Sequence, residues 1–251
     1  MAEGDTILRL ARRLDAALAG QSIAVSAPNP RGRAAGVERL DGRRFDGAEA
    51  RGKHLLLHFG ELALHSHLGM SGGWHLYRRS APWRRPRSSA WAVLAGSEQE
   101  AVQFGGPTLR VLPSERLRRD PQLARLGPDL LAADFEPEPV VAAMRAEPGR
   151  GVGDALLDQT LVAGIGNIFK SEACFAARVD PWRPLADLSD SELAAVLAAA
   201  RHEMLDAVAS GRHHPAVYRR RGPCTVCGGP ISSRGQGDAN RTTYWCPNCQ
   251  R

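Results

Sequence analysis

Residues 156–177 read LLDQTLVAGIGNIFKSEACFAA, and this stretch governs the reading of the C-terminal half. Apolar Ala155, Leu156 and Leu157 close one helical segment, and Asp158-Gln159-Thr160 interrupts it. After a second turn at Gly164-Ile165-Gly166, the helical period resumes through Ile168, Phe169, Ala173, Phe175 and Ala176. Asn167 falls at the start of the second helix, where an asparagine caps well. Gly164 and Gly166 remove the side chains that would keep a ligand from the backbone N–H groups. A helix N-terminus bared by glycines suits a phosphate. The same pattern suits an ordinary helical corner that needs glycine for a tight turn, so the rest of the chain has to separate the two readings.

At 251 residues the chain is long enough for two domains, each with its own core. It carries 33 basic against 27 acidic residues, a formal net charge of +6 that favours a polyanionic partner. Only two of the basic residues are lysines, Lys53 and Lys170. A lysine retained against such a bias points to a task that arginine cannot perform, such as proton transfer. The first twenty residues carry Asp5, Arg9, Arg12, Arg13 and Asp15, unlike a signal peptide, and no apolar run could span a membrane. A soluble, cytoplasmic protein is expected, and a monomer by default.

Four of the five cysteines form two pairs, Cys224-x2-Cys227 and Cys246-x2-Cys249, with 18 residues between them. That spacing fits a tetrahedral zinc ribbon built from two knuckles, with a disulfide as the competing reading. Cys174 lies in an apolar helix and reads as a core residue.

Residues 3–19 form an amphipathic helix ended by Gly20. From about 21 to 113 the period changes to two, with strands expected at 54–59, 62–68, 73–78, 90–96, 100–104 and 109–112. This predicts a β-sandwich or flattened barrel. Arg78 to Arg87, RRSAPWRRPR, reads as an exposed basic loop suited either to solvent or to phosphate. Residues 114–137 form a proline-punctuated connector, and helices are expected at 138–146, 154–158, 167–177 and 189–210. His54, His58, His65, His67 and His75 alternate along the strands. They read as satisfied or surface histidines, with a second metal site as the alternative. The fold class is therefore multidomain α+β: a β-sandwich with an N-terminal helix at 1–127, a helical domain at 128–222, and a zinc-ribbon hairpin at 223–251.

Four motifs carry a resemblance over essentially the whole length: AEGDT at 2–6, RGKHLL around Lys53, the stretch quoted above, and VYRRRGPCTVCG with ANRTTYWCPNCQ at the end. The chain resembles the formamidopyrimidine-DNA glycosylase/endonuclease VIII (Fpg/Nei) family, and its opening is most like the actinobacterial endonuclease VIII branch. The resemblance implies a base-excision repair enzyme. Such an enzyme flips a damaged base from duplex DNA, cuts the glycosidic bond and cleaves the strand by elimination.

Carried over residue by residue, the resemblance makes the α-amine of residue 2 the nucleophile, exposed when Met1 is removed. The family's proline is Ala2 here. An α-amine titrates at about 7.7–8.0, so a primary amine at Ala2 keeps a usable neutral fraction. Glu3 is implied as general acid/base, its local role being a carboxylate at a helix N-terminus. Lys53 is implied to contact the lesion's phosphate or sugar. Met70 in the turn HLGMSG matches the intercalating position, and Phe104 is a second candidate wedge, although AVQFGG departs from the family's arginine-containing version. Asn167 and Arg241 are implied to grip phosphates around the lesion. Cys224, Cys227, Cys246 and Cys249 are implied to hold one structural zinc. The implied partner is double-stranded DNA with damaged bases, more often pyrimidines, or abasic sites.

Two further readings compete. One is a catalytically silent protein that binds damaged or abasic DNA, suggested by Ala2. The other is a zinc-ribbon adaptor, which accounts only for the last thirty residues.

Overall fold

The computed structural model describes residues 2–219 and 222–251; Met1 and the Arg220-Arg221 pair of the final motif lie outside the described residues. The chain divides into two compact units after Ala124.

The first unit opens with α1 (Gly4–Leu18), whose end is fixed by Gly20 at φ +79°. Then follow β1 (Ala24–Ser26), α2 (Pro30–Ala34), β2 (Gly47–Arg51), β3 (His54–Phe59), β4 (Leu62–His67), β5 (Gly73–Arg78), β6 (Ala92–Ala95), β7 (Gln99–Phe104) and β8 (Thr108–Pro113). The strands make two antiparallel four-stranded sheets, β1-β6-β7-β5 and β2-β3-β4-β8. One core joins both sheets to α1. Leu55, Leu57 and Phe59 of β3 and Leu64 of β4 pack with Trp74, Ala92, Leu94 and Ala101 and with Ile7, Leu10, Leu14 and Leu18. Period-two alternation found the buried strands. It missed β1 and β2, which are short or rich in Ala, Gly and charge and leave most of their residues half-buried or exposed.

The proline-punctuated connector is not structureless. It contains α3 (Ser114–Arg118) and α4 (Pro121–Ala124), with proline at the N-cap of the first and opening the second. Proline is compatible with a first helical turn, because the N–H it lacks has no partner there.

The second unit contains α5 (Glu138–Arg145), α6 (Val152–Ala155), α7 (Asn167–Ala176), α8 (Asp190–Ser210) and a hairpin of β9 (Ser232–Gln236) and β10 (Arg241–Trp245). Its core is formed by Val152, Leu156, Val162, Ile165, Phe169 and Ala173 against Leu193, Leu197, Ala200 and Met204. Helix α8 starts on a capping box from Ser189 and Glu192 and stops at Gly211 in the left-handed region.

The helix expected at 154–158 lies instead at Val152–Ala155. Asp158 is drawn out of the helix to accept hydrogen bonds from Thr160 N (2.8 Å) and Thr160 Oγ1 (2.7 Å), while Arg150 bridges Asp154 and Asp158. Gln159 laces both turns. Its Nε2 donates to Leu157 O at 2.9 Å and Ile165 O at 3.0 Å, and its Oε1 accepts from Gly164 N at 3.1 Å. Gly164 takes φ +105°, which a side chain would strain. Replacing Gln159 by Ala leaves these backbone groups without partners, so the expected cost is about 1–3 kcal/mol. Urea unfolding measures it as a lowered midpoint at unchanged slope; an unchanged midpoint would show that the lacing does not hold the turns.

Candidate nucleic-acid interface

In the first unit, Glu3 is the N-cap residue of α1. Its side chain is fully buried, and Ala2 before it rests half-buried against the main core. Lys53 lies in the two-residue loop between paired Arg51 and His54. Gly52 ahead of it takes φ +57°, the backbone that a tight hairpin needs at its first loop position.

Met70 lies in the turn between β4 and β5 and is 69% exposed, while Leu68 beside it is buried. The turn is shaped by glycine. Gly72 N donates to Leu68 O at 2.9 Å, and Gly69 takes φ +58°. A Cβ on Gly106 in the β7–β8 loop would come within 2.8 Å of His67 O, so the two loops approach backbone to backbone. The result is a rigid turn with one apolar side chain outward.

Phe104 does not share that exposure. It is 1% exposed, and its ring meets His75 and Trp83 edge-on with the Arg85 guanidinium above it. The expected second wedge is thus a packing residue here, because its strand turns it into a small cluster with Ala90, Val93 and Val102.

Sequence reasoning did not anticipate a buried polar row beside Lys53. Arg110 Nε donates to His65 Nδ1 (3.2 Å), and Arg110 Nη2 lies 3.1 Å from the same nitrogen. A guanidinium has no acceptor, so the neutral His65 carries its proton on Nε2 and passes it toward His54 Nδ1 at 2.8 Å. The His54 ring stacks at a tilt on His67, 4.7 Å between centroids. At the other end Arg110 pairs with Asp120, whose Oδ1 accepts from Gln122 N and Leu123 N.

Burial first, then Arg110, hold His65 down at about 4. Burial and then the neighbouring imidazoles hold His54 at about 3. Burial and then the Lys53 ammonium lower His67. Burial first, and the cations around the row second, keep it neutral. His58 instead pairs with Glu49 at 3.4 Å. Among the described residues the histidines form no metal-holding group.

In the second unit, α7 holds the hairpin. Gly166, not Asn167, is the N-cap residue, and Asn167 is the first residue of the helix. Its Nδ2 donates to Thr242 O at 2.7 Å, and its buried Oδ1 has no hydrogen-bond partner among the described residues. Lys170 is fully buried and donates to Thr243 Oγ1, which donates in turn to Gln236 Oε1 at 2.7 Å. Gln236 Nε2 closes the chain on Pro181 O at 2.6 Å. Ser171 Oγ accepts from Tyr244 N.

Glu172 accepts from the backbone N–H groups of Ala216, Val217 and Tyr218 at 2.6, 3.1 and 2.7 Å. Burial pushes its carboxyl up, and these three donors oppose the shift. Arg241, exposed, opens β10 opposite Gln236. Asn167 and Arg241 are therefore brought to neighbouring strand and helix positions, linked through Thr242. Sequence distance concealed these ties; the surviving Lys170 was their only signal.

The four expected metal ligands converge. Cys224 and Cys249 sulfurs lie 3.8 Å apart and those of Cys227 and Cys246 3.4 Å apart, with all four within 4.8 Å of one another. A tetrahedron of sulfurs about 2.3 Å from zinc has edges of about 3.8 Å, and a disulfide would need about 2.05 Å. The four thiolates fit one structural zinc ion, which would fix the knuckles flanking β9 and β10. Cys174 is separate and fully buried, and burial pushes its thiol up to about 12, leaving it inert.

The neutral histidine row carries a pH signature. Its folded-state pKa values lie below the usual 6.5, so the stability it contributes is complete above pH 6.5. That stability is lost progressively as pH falls from 6.5 toward about 3. Thermal unfolding of the wild type from pH 7 to 4.5, against His65→Asn, is expected to show a flatter decline for the variant; parallel profiles would remove the row from the acid limb.

Comparison with known proteins follows the same layout. Residues 1–107 match the formamidopyrimidine-DNA glycosylase N-terminal domain, residues 126–217 the formamidopyrimidine-DNA glycosylase H2TH domain, and residues 222–251 the zinc finger found in FPG and IleRS. The probable endonuclease 8 2 of Streptomyces coelicolor is 39% identical over 270 residues, covering 100% of this chain and 94% of the relative. A DNA-(apurinic or apyrimidinic site) lyase of Mycolicibacterium smegmatis is 34% identical, covering 100% of this chain and 99% of its own. The crystal structure of Lactococcus lactis formamidopyrimidine-DNA glycosylase, bound non-covalently to DNA with an AP site, superposes with a TM-score of 0.85. It covers 99% of both chains at 24% identity, which speaks for the fold. With three family domains in order and relatives similar along their whole length, the chain belongs to the formamidopyrimidine-DNA glycosylase/endonuclease VIII family.

Proposed function

We propose that the protein is a DNA glycosylase with AP lyase activity in base-excision repair, acting on duplex DNA that contains oxidised bases, pyrimidines before purines, or abasic sites. The observation that carries the reading is the N-terminal pair of this family member: Ala2 set against the core, followed by a fully buried Glu3 carboxyl at the head of α1. The enzyme works as a monomer in the bacterial cytoplasm.

A base must leave the stack before it can be excised, at a cost of a few kcal/mol that is lower for damaged pairs. Met70, exposed on its glycine-shaped turn, fills the gap. Asn167 and Arg241 grip phosphates, and Lys53 sets an ammonium against the sugar-phosphate of the flipped nucleotide. Phe104, being buried, has no part in this reading.

Once Met1 is removed, the neutral α-amine of Ala2 attacks C1′. The N–C1′ bond forms as the glycosidic bond breaks, and the base leaves with the electron pair and takes up the proton that the attacking nitrogen sheds. Glu3 delivers a proton to the ring oxygen, the C1′–O4′ bond opens, and a protonated imine remains. Loss of a C2′ proton then expels the phosphate at C3′, and water releases the amine.

Alanine changes one property of this sequence. An imine of a primary amine carries a removable N–H proton, whereas a proline iminium has none and stays cationic. The cation is the electron sink for elimination, so strand cleavage by this chain is expected to fall as pH rises.

Borohydride trapping on an abasic duplex, with N-terminal mass recorded, tests the reading. An adduct mapped to Ala2, and an Ala2→Pro variant whose cleavage declines less at alkaline pH, are the expected results. Adducts from the proline variant alone would favour the silent, lesion-binding reading that Ala2 suggests. Absence of adduct from either chain would remove the enzyme assignment. Glu3→Gln is expected to abolish base removal while sparing binding, and normal turnover by it would sink that role.

Zinc is expected near one equivalent. Chelation or Cys246→Ser should release the hairpin, misplace Arg241 and weaken binding to damaged duplex by about tenfold or more, near 1.4 kcal/mol. Unchanged affinity would contradict the hairpin's role.

A further inference from the structure

The basic segment Arg78–Arg87 is not a loose loop. It lies across the outer face of the β1-β6-β7-β5 sheet, the face turned away from the sandwich core. There Val93, Val102 and Phe104 form an apolar strip with Ala90, and Tyr77 and Trp83 cover it. Trp83 stacks on Tyr77 (6.0 Å, 24°), meets Phe104 edge-on, and donates from Nε1 to Glu100 Oε1 at 2.6 Å. Both ends are tied. Arg79 N donates to Glu98 O and Arg79 Nη1 to Gly96 O, while at the other end Asn29 Nδ2 donates to Ser88 O at 3.1 Å.

On this anchored strap sit Arg78, Arg79, Arg84, Arg85 and Arg87, all with exposed side chains. Two are held by aromatic faces: Arg85 Cζ lies 5.4 Å from the Phe104 centroid and Arg87 Cζ 4.6 Å from that of Trp83. None of the five is in an ion pair among the described residues. The segment itself contains no acid; of its acidic neighbours Glu100 is engaged by Trp83 and Glu98 meets the strap through its backbone carbonyl. Stacking fixes a guanidinium in a plane and leaves its N–H edge outward, which is the arrangement that binds phosphate by two bonds. His75, beneath the strap, is held below its usual pKa by burial, then Arg85, Arg84 and Arg13, so it adds no charge of its own at neutral pH.

We propose that the Arg78–Arg87 strap is a second phosphate-binding surface, which takes the backbone of the duplex flanking the lesion. The inference rests on the DNA-repair reading above and extends it outward from Met70. Strand register sets its reach. Phe104 under Arg85 pairs with Gly73, next to the Met70 turn, and Arg78 pairs with Gln99 at the far end of β5. At about 3.3 Å per residue that row spans roughly 17 Å, or about five base-pair rises. The strap therefore engages phosphates up to about five base pairs from the lesion on one side only. A stacked, anchored row loses little side-chain freedom on binding, in contrast to solvated arginines.

The test compares wild type, Arg84→Gln and the triple variant Arg84→Gln/Arg85→Gln/Arg87→Gln. Binding is measured to an undamaged duplex and to one carrying a stable abasic analogue, across a salt series. The triple variant is expected to lower the slope of log Kd against log salt by about 2 to 3 on both duplexes, and Arg84→Gln, which disturbs no stack, by about 0.9. The corresponding triple lysine variant restores most of the slope. Trimming the abasic duplex from about ten base pairs to about one on one side should abolish the difference between wild type and triple variant, while the same trim on the other side should preserve it. An unchanged slope in Arg84→Gln and the triple variant would overturn the proposal, as would equal sensitivity to trimming on either side. If wild type shows no preference for the abasic duplex, the repair reading fails instead, and the slope on undamaged duplex still judges the strap.

Discussion

A buried ammonium must find its hydrogen bonds inside the protein, and the one at Lys170 organises the second unit. Its bond to Thr243 continues through Gln236 to Pro181, so α7, both strands of the hairpin and the segment after α7 share one polar chain. The neighbouring positions add Asn167 to Thr242, Ser171 to Tyr244 and Glu172 to residues 216–218. Three residues of one helix, Asn167, Lys170 and Ser171, thus hold the hairpin, and Glu172 beside them holds the segment that leads into it, while four cysteines converge at its base. A guanidinium has a different shape and five donors to satisfy, which accounts for lysine at this point in an arginine-rich chain.

The first unit meets a similar constraint differently. Its presented side chains stand on short hairpin turns, and rigidity comes from backbone rather than from polar chains. Gly52 shapes the turn that carries Lys53, and Gly69, Gly72 and Gly106 let two loops meet so closely that a single Cβ would separate them. Behind Lys53 the histidine row is kept neutral by burial and by Arg110. The outer sheet face is closed by an arginine strap whose aromatic residues belong to the fold and whose charges face solvent.

Ala2 is where chemistry departs most from the family's usual proline. The position keeps what an α-amine offers, a pKa far below that of a lysine side chain, and gives up a permanently charged iminium. Under the proposed mechanism base removal and strand cleavage thereby become separable: the first needs a nucleophile, the second a cation.

The sequence by itself determined the division into a β-rich and a helical half, the strands that bury alternate residues, the helix–two-turn–helix stretch and the zinc knuckles. In each case the signal is local, a period, a glycine or a spacing that a few adjacent residues enforce. Edge strands β1 and β2 escaped because half-exposed residues carry no alternation, and the connector's short helices escaped because proline at a helix start looks like proline in a coil. Tertiary structure alone decided the rest. Phe104 is buried because β7 pairs with β5 and Trp83 folds back over it; Asn167 serves the hairpin because Thr242, 75 residues away, is brought to it. His54, His65 and Arg110 form one row only because β3, β4 and β8 are neighbours in register. Burial and cross-strand contact depend on which distant segment arrives, and no local pattern of residues encodes that.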